Sequence, residues 1–225
     1  FQSTVSSSLF GHLETQYRGE EGHRWNLVQP RAEVRAEINI SSKKENPQKI
    51  EFKGRGYHDH NTGREPMREE FKDWYWGRFH FDDLTLVYYV MNRQKGEQHR
   101  AWLIDKKNER VLDVLEDIEL QDRQLSLFGL HTARKLSLHS PNAAVQIQQS
   151  KLLDNGPFYQ RYLSDAFLRI SGEQIVESQT GVTEYIHPSR IYSRIFWPFV
   201  DMRIRYTAGR PHWVQRSKRL YRWTW

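Results

Sequence analysis

Short runs with a period of two follow one another along the chain, and this pattern restricts the fold more than any other feature. Residues 32–40 alternate apolar and polar side chains and end in the polar stretch 41–48. Such alternation gives a strand one face for a core and one for solvent. Residues 49–53 resume a strand and lead into Gly54, Arg55 and Gly56, and residues 76–91 read as an aromatic and β-branched strand pair folded at Asp82 and Asp83. Residues 98–104, 111–120, 124–130, 135–138 and 144–148 each read as a short strand. Residues 158–170 then turn at Ser171, Gly172 and Glu173 into 174–178. Helical periodicity is confined to 66–72, enough for one turn or two. The chain has no internal repeat and no low-complexity tract. Many short strands at steady spacing predict an all-β protein, a closed barrel or a sandwich.

The chain has 225 residues, which suits one large domain or two small ones. Its 8 Trp, 11 Tyr and 11 Phe supply more burial than a solvated, disordered chain carries. No run approaches the roughly 20 apolar residues of a membrane-spanning helix; residues 195–200 are too few and include Pro198. Without cysteine there is no disulfide framework, thiolate nucleophile or Cys-ligated zinc. The redox compartment therefore stays open, and the expected location is cytoplasmic or peripheral to a membrane. The chain starts at Phe1 without the charged and apolar regions of a signal peptide, so it is expected to be trimmed, processed or part of something longer.

Charge is unevenly spread. From Met202 onward there is no acidic residue, but Arg203, Arg205, Arg210, Arg216, Lys218, Arg219 and Arg222 are basic. The whole chain's +6 less these seven leaves the first 201 residues at −1. Tyr206, Trp213, Tyr221, Trp223 and Trp225 interleave with them. This composition suits a final strand with a basic solvent face, or contact with a membrane surface. Nothing in the body of the chain supports nucleic-acid binding.

The chemistry is expected in two dense runs, 56–63 and 73–80. If both are extended, Tyr57, Asp59 and Asn61 share one face, with His58 and His60 on the other. Trp74, Trp76, Arg78 and His80 likewise oppose Tyr75, Gly77, Phe79 and Phe81. A carboxylic acid held among Tyr, Asn and Trp is expected to be partly desolvated, which favours its protonated form. Trp faces beside it can stabilise a cation. The competing reading is an Asp that ties a turn, with tryptophans as core. Imidazoles two apart, His58 and His60, could share a metal ion with His80, but the spacing fixes no third ligand and no metal is expected. No nucleophile elbow and no phosphate-cradling glycine loop is present.

At these residues the sequence resembles a family. The stretch from Trp25 to Val34, the run 54–63 with Glu65 and Pro66, and residues 74–78 are similar to bacterial carotenoid hydratases (hydroxyneurosporene synthases), within the AttH-like group of lipocalin-related proteins. Residues 153–161 resemble the family's Pro-Phe-Tyr-x-Arg segment. Glu184, residues 197–199, and Met202 with Arg203 fall in similar order. The resemblance spans roughly residues 25–205.

That resemblance implies a calycin-like, lipocalin-like β-barrel and cofactor-free addition of water to an alkene of an apolar isoprenoid or polyene. Asp59 matches the family's acid, which protonates the double bond to a tertiary carbocation. Trp74 and Trp76 match the aromatic pair that shields the cation. Tyr57 and Asn61 are expected to position the acid, with His58 and His60 beside it in the catalytic run and Arg78 structural. Phe158, Tyr159 and Glu184 are expected to line the substrate site, Glu184 as a second carboxylate that could orient water. Two features depart from the pattern. Thr62 stands where the family often has Trp, which opens one wall. The family also carries a whole preceding β-domain, whereas 56 residues precede Tyr57 here. Residues 1–62 are therefore expected to be a remnant of, or contribution to, a first barrel that a second chain could complete. Residues 63–225 then form the calycin-like barrel and its basic aromatic tail. Acid-catalysed cyclisation by the same Asp, a pericyclase that folds a polyene, and a carrier holding an apolar ligand among the aromatics of a barrel interior are the alternatives.

Overall fold

The computed structural model describes residues 2–3, 22–41, 46–108, 110–171, 176–202 and 212–220. Two antiparallel sheets form it. The first has the order β1 (Gln2–Ser3), β2 (Arg24–Ile40), β3 (Gln48–Thr62). The one-turn helix α1 (Met67–Glu70) leads into the second. That sheet contains β4 (Phe71–His80), β5 (Leu84–Arg93), β6 (Gly96–Asp105), β7 (Arg110–Leu115), β8 (Asp117–Leu125), β9 (His131–His139), β10 (Ala143–Asn155), β11 (Tyr159–Ile170) and β12 (Val176–Ile186). Its nine strands run in the order β7-β6-β5-β4-β12-β11-β10-β9-β8.

This order explains the curl of the sheet. β7 and β8 are its two edges, yet Glu116 alone lies between them in the chain. Edges joined by one residue must lie side by side, so the sheet rolls into a lipocalin-like half-barrel. The single strand expected over 111–120 is thus two strands on opposite edges. The strand expected over 124–130 ends at Leu125, because Gly129, at φ 74°, closes a turn in which its N–H donates to the Ser126 carbonyl. After β12 come two 3₁₀ turns, Pro188–Tyr192 and Arg194–Phe196, and the short helices α2 (Trp197–Asp201) and α3 (Trp213–Arg216). Most of the basic tail, including Arg203, Arg205, Arg210 and Arg222, lies outside the described residues.

Alternation on β4 decides where the core sits. Tyr75 and Phe79 point into the curl, where they meet Leu86, Tyr88, Leu103, Leu136, Val145, Leu168 and Tyr185, all buried. Glycines at 77 and 181 admit this packing: a Cβ at Gly77 would lie 2.5 Å from the Tyr88 ring, and one at Gly181 would collide with the Arg78 carbonyl. The interior is therefore filled with side chains. A ligand chamber inside the barrel, the expectation for a carrier, is not what the sequence builds. The outer face of β4, β5 and β6 is apolar too. The first sheet covers it, with Trp25 and Leu27 packed on Phe71, Val87, Tyr89, Met91, Trp102 and Ile104. Trp25 stacks on Trp102 with centroids 5.8 Å apart and planes 17° from parallel. The N-terminal end of β2 is fixed where the Glu70 carboxylate accepts from the His23 backbone N–H (2.7 Å) and pairs with the buried Arg93 guanidinium.

Candidate functional site

A cavity of about 670 Å³ lies between the two sheets, outside the barrel. That volume is in the range of small-molecule clefts. Strand register builds its floor. Across β4 and β12, Trp74 sits opposite Ile186, Trp76 opposite Glu184 and Arg78 opposite Val182. On the other side of β4, Met91 and Tyr89 continue the same face. Tyr159 and Arg161 join from β11 and Leu153 from β10. The roof comes from the first sheet, where the β2–β3 register puts Trp25 opposite Asn61 and Leu27 opposite Asp59.

Asp59 is half-buried at this roof. The Trp25 indole Nε1 donates to its Oδ2 at 2.8 Å, and the Tyr57 hydroxyl donates to the same oxygen at 3.1 Å. Among the described residues no hydrogen bond reaches Oδ1. Burial, and next the negative charge of Asp59, push the Tyr57 hydroxyl well above the ordinary phenol range, so it remains a neutral donor. The Tyr57 ring packs on Trp76 (5.1 Å between centroids), and the Arg78 guanidinium lies 5.3 Å from the Tyr57 ring centre. Beside Asp59, the His23 Nε2 bonds the Asn61 Oδ1 at 3.4 Å. Burial, helped by the charge of Arg93, lowers the His23 pKa.

Glu184 is the second carboxylate on the cavity, across the β4–β12 ladder from Trp76. Its Oε1 accepts from the Tyr159 hydroxyl at 2.6 Å and from Arg161 Nε at 3.1 Å. Arg161 Nε also lies 2.8 Å from the Tyr159 oxygen. Burial, then the bond to Glu184, raises the Tyr159 pKa. The cavity thus brings together Tyr57, Asp59, Asn61, Trp74, Trp76, Tyr159 and Glu184. It does not bring in His58, His60 or Phe158. The two histidines are exposed, because alternation on β3 turns them from the roof. The Phe158 carbonyl accepts from the His187 N–H in the turn after β12. His58, His60 and His80 do not converge, and no group of three metal-ligating side chains forms among the described residues. Trp25 and His23, which hold Asp59 and Asn61, are site residues that the strand patterns did not point to. Their signal is the hairpin register, and the visible alternation begins only at Ala32.

A half-barrel filled within and roofed on one flank is a fold of the lipocalin-like class. CghA bound to Sch210972 shares it, with a TM-score of 0.52 at 10% identity over 74% of this chain and 55% of that one, a likeness of fold alone. The chain belongs to the carotenoid hydratase family: the model of carotenoid hydratase CrtC matches residues 2–213. It is 34% identical over 194 residues to a protein of Chlorobaculum tepidum named hydroxyneurosporene dehydrogenase, covering 84% of this chain and 50% of that one. It is 24% identical over 200 residues to an acyclic carotenoid 1,2-hydratase of Rhodobacter capsulatus, covering 89% of this chain and 64% of that protein. The chain therefore spans half to two thirds of the length of these relatives.

Proposed function

We propose that the cavity between the sheets hydrates an alkene of an apolar acyclic isoprenoid, without a cofactor, and that Asp59 is the acid. The observation that supports this reading is the pair of donors on one oxygen of Asp59, which leaves the other oxygen to carry the proton offered to the alkene. A carboxyl group whose Oδ2 accepts from Trp25 and Tyr57 carries its acidic proton on Oδ1. Transfer of that proton to one alkene carbon leaves a cation on the other and a carboxylate that both donors stabilise. Trp74 and Trp76 offer ring faces to the cation, and the surrounding apolar side chains exclude competing nucleophiles. One water then forms the C–O bond and gives up a proton, which restores the acid. Glu184, fixed by Tyr159 and Arg161, is placed to orient that water.

In this reading residues 1–62 contribute to a β-domain preceding the barrel. The substrate class favours work at a membrane surface, to which the basic aromatic tail would be drawn. No helix among the described residues is long and apolar enough to cross a membrane. The test is product analysis in heavy-oxygen water with a panel of acyclic carotenoids and terpenoid polyenes, for wild type and Asp59→Asn. Labelled alcohol from wild type alone supports the reading. An unlabelled isomer or ring-closed product replaces it with a cyclase or pericyclase, and retention without product replaces it with a carrier.

A further inference from the structure

A second, smaller cavity of about 250 Å³ adjoins the first, lined by Arg55, Arg78, His80, Gln179, Thr180 and Gly181 among others. The two cavities share Arg78 and Val182, so they meet at these residues. Its charge is one-sided. Arg55 NH1 donates to the His80 carbonyl at 3.0 Å, and Arg78 NH1 lies 2.9 Å from His80 Nε2. A guanidinium only donates, so Nε2 is the acceptor and the ring is neutral, with its proton on Nδ1 toward Thr85 Oγ1 at 3.3 Å. Buried Arg31 stands behind them, bonded to the Phe81 carbonyl at 2.7 Å. Burial and the charges of Arg78, Arg31 and Arg55 hold the His80 pKa down to about 3.

Positive charge so gathered is ordinarily balanced by carboxylates. Among the described residues no Asp or Glu lines the small cavity and neither Arg55 nor Arg78 forms an ion pair; the carboxylates near them are Glu184 and Asp59 of the larger cavity toward Arg78, Asp82, Asp83 and Glu33 toward Arg31, and Asp165 bonded to Thr180. Each guanidinium spends one nitrogen on His80 and keeps further N–H groups for another acceptor. Two forked donors suit an anion with several oxygens, for which phosphate geometry is the natural match.

We infer that the small cavity is a phosphate monoester site, with Arg55 and Arg78 as its ligands, and that it receives the head of an amphiphile whose isoprenoid tail lies in the larger cavity. The tail's placement rests on the reading of the larger cavity given above; the anion site rests on its own residues. The substrate range then includes isoprenyl phosphates as well as neutral polyenes, with Arg78 at the junction reading where the tail ends and the head begins.

Binding of farnesyl monophosphate, farnesol and inorganic phosphate to the purified chain tests this, for wild type, Arg55→Gln, Arg78→Gln and the exposed control Arg169→Gln. Farnesyl monophosphate is expected to bind wild type and Arg169→Gln about 10-fold or more tighter than farnesol, with that advantage largely lost in Arg55→Gln. Arg55 is exposed, so its variant folds even if Arg78→Gln does not. A phosphate that brings no advantage, or an advantage that Arg55→Gln keeps, overturns the proposal. Flotation with phosphatidic acid or phosphatidylcholine vesicles separates the sources. Arg55-dependent capture by phosphatidic acid alone, with no gain for soluble farnesyl monophosphate, keeps the phosphate site but assigns it to a lipid headgroup and overturns the isoprenyl ligand. Hydration of a neutral polyene by Arg55→Gln is expected at the wild-type rate, and Asp59→Asn is expected to keep phosphate binding, so the two readings fail separately.

Discussion

Removing the indole nitrogen of Trp25 tests whether the roof of the site is held by the Trp25–Asp59 bond. Trp25→Phe keeps an aromatic ring against Tyr89 and Trp102 but deletes the donor 2.8 Å from Asp59 Oδ2. The lost hydrogen bond to the neutral acid is worth about 0.5–1.5 kcal/mol. The smaller ring, at a position only 3% exposed, leaves a cavity that adds about 1–2 kcal/mol. A combined loss of roughly 1.5–3.5 kcal/mol is within the 5–15 kcal/mol of an ordinary domain, so the variant remains folded. To separate bond from packing, Trp25→Phe, Asp59→Ala and the double variant form a cycle, read by urea unfolding at neutral pH with far-ultraviolet circular dichroism. The coupling between the two sites is expected at about 1 kcal/mol. A coupling below about 0.3 kcal/mol would show that the bond contributes nothing, and the assignment of the Asp59 proton to Oδ1 would fall with it.

Two further outcomes follow from the packing. His80 is 9% exposed and its folded pKa is about 3, far below the ordinary 6.5, so the folded state excludes a proton that the unfolded chain binds. Its contribution is fully present above pH 6.5 and is lost as pH falls toward 3, by about 2 kcal/mol at pH 5. His80→Gln should flatten urea-derived stability against pH between 6 and 4, and an unchanged slope would refute this. Gly181→Ala would drive a methyl into the Arg78 carbonyl, a backbone atom that cannot swing away, and should cost about 3 kcal/mol in thermal or urea unfolding. A neutral result would mean that β12 and β4 are not packed as closely as described.

The strands were legible in the sequence because alternation on a half-buried sheet is a local signal. The division of β4 into one face with Tyr75 and Phe79 and another with Trp74, Trp76 and Arg78 could be read from spacing alone, as could the shared face of Tyr57, Asp59 and Asn61. Three things could not be read. The jump from β7 to β8 across Glu116 is set by closure of the sheet, and no residue there has turn chemistry. β12 runs to Ile186 through Gly181, which reads as punctuation but is there for close approach. The partnership of Trp25 with Asp59 depends on a hairpin register passing two irregularities between Leu27 and Ala32. The cavity's position outside the barrel is a consequence of filling the inside, and only the three-dimensional fit of the large side chains decides that.

The cavity has a roof on one sheet and a floor on the other, so a ligand inside it bridges two layers that are also joined by a stacked aromatic cluster, the Glu70–Arg93 tie and the bonds of Arg31 and Arg55 to the Phe81 and His80 carbonyls. Occupancy and docking of the layers are thereby linked: a ligand that binds only the closed pair tightens the β2–β3 hairpin onto the barrel, and any change that loosens the hairpin weakens the ligand by the same factor.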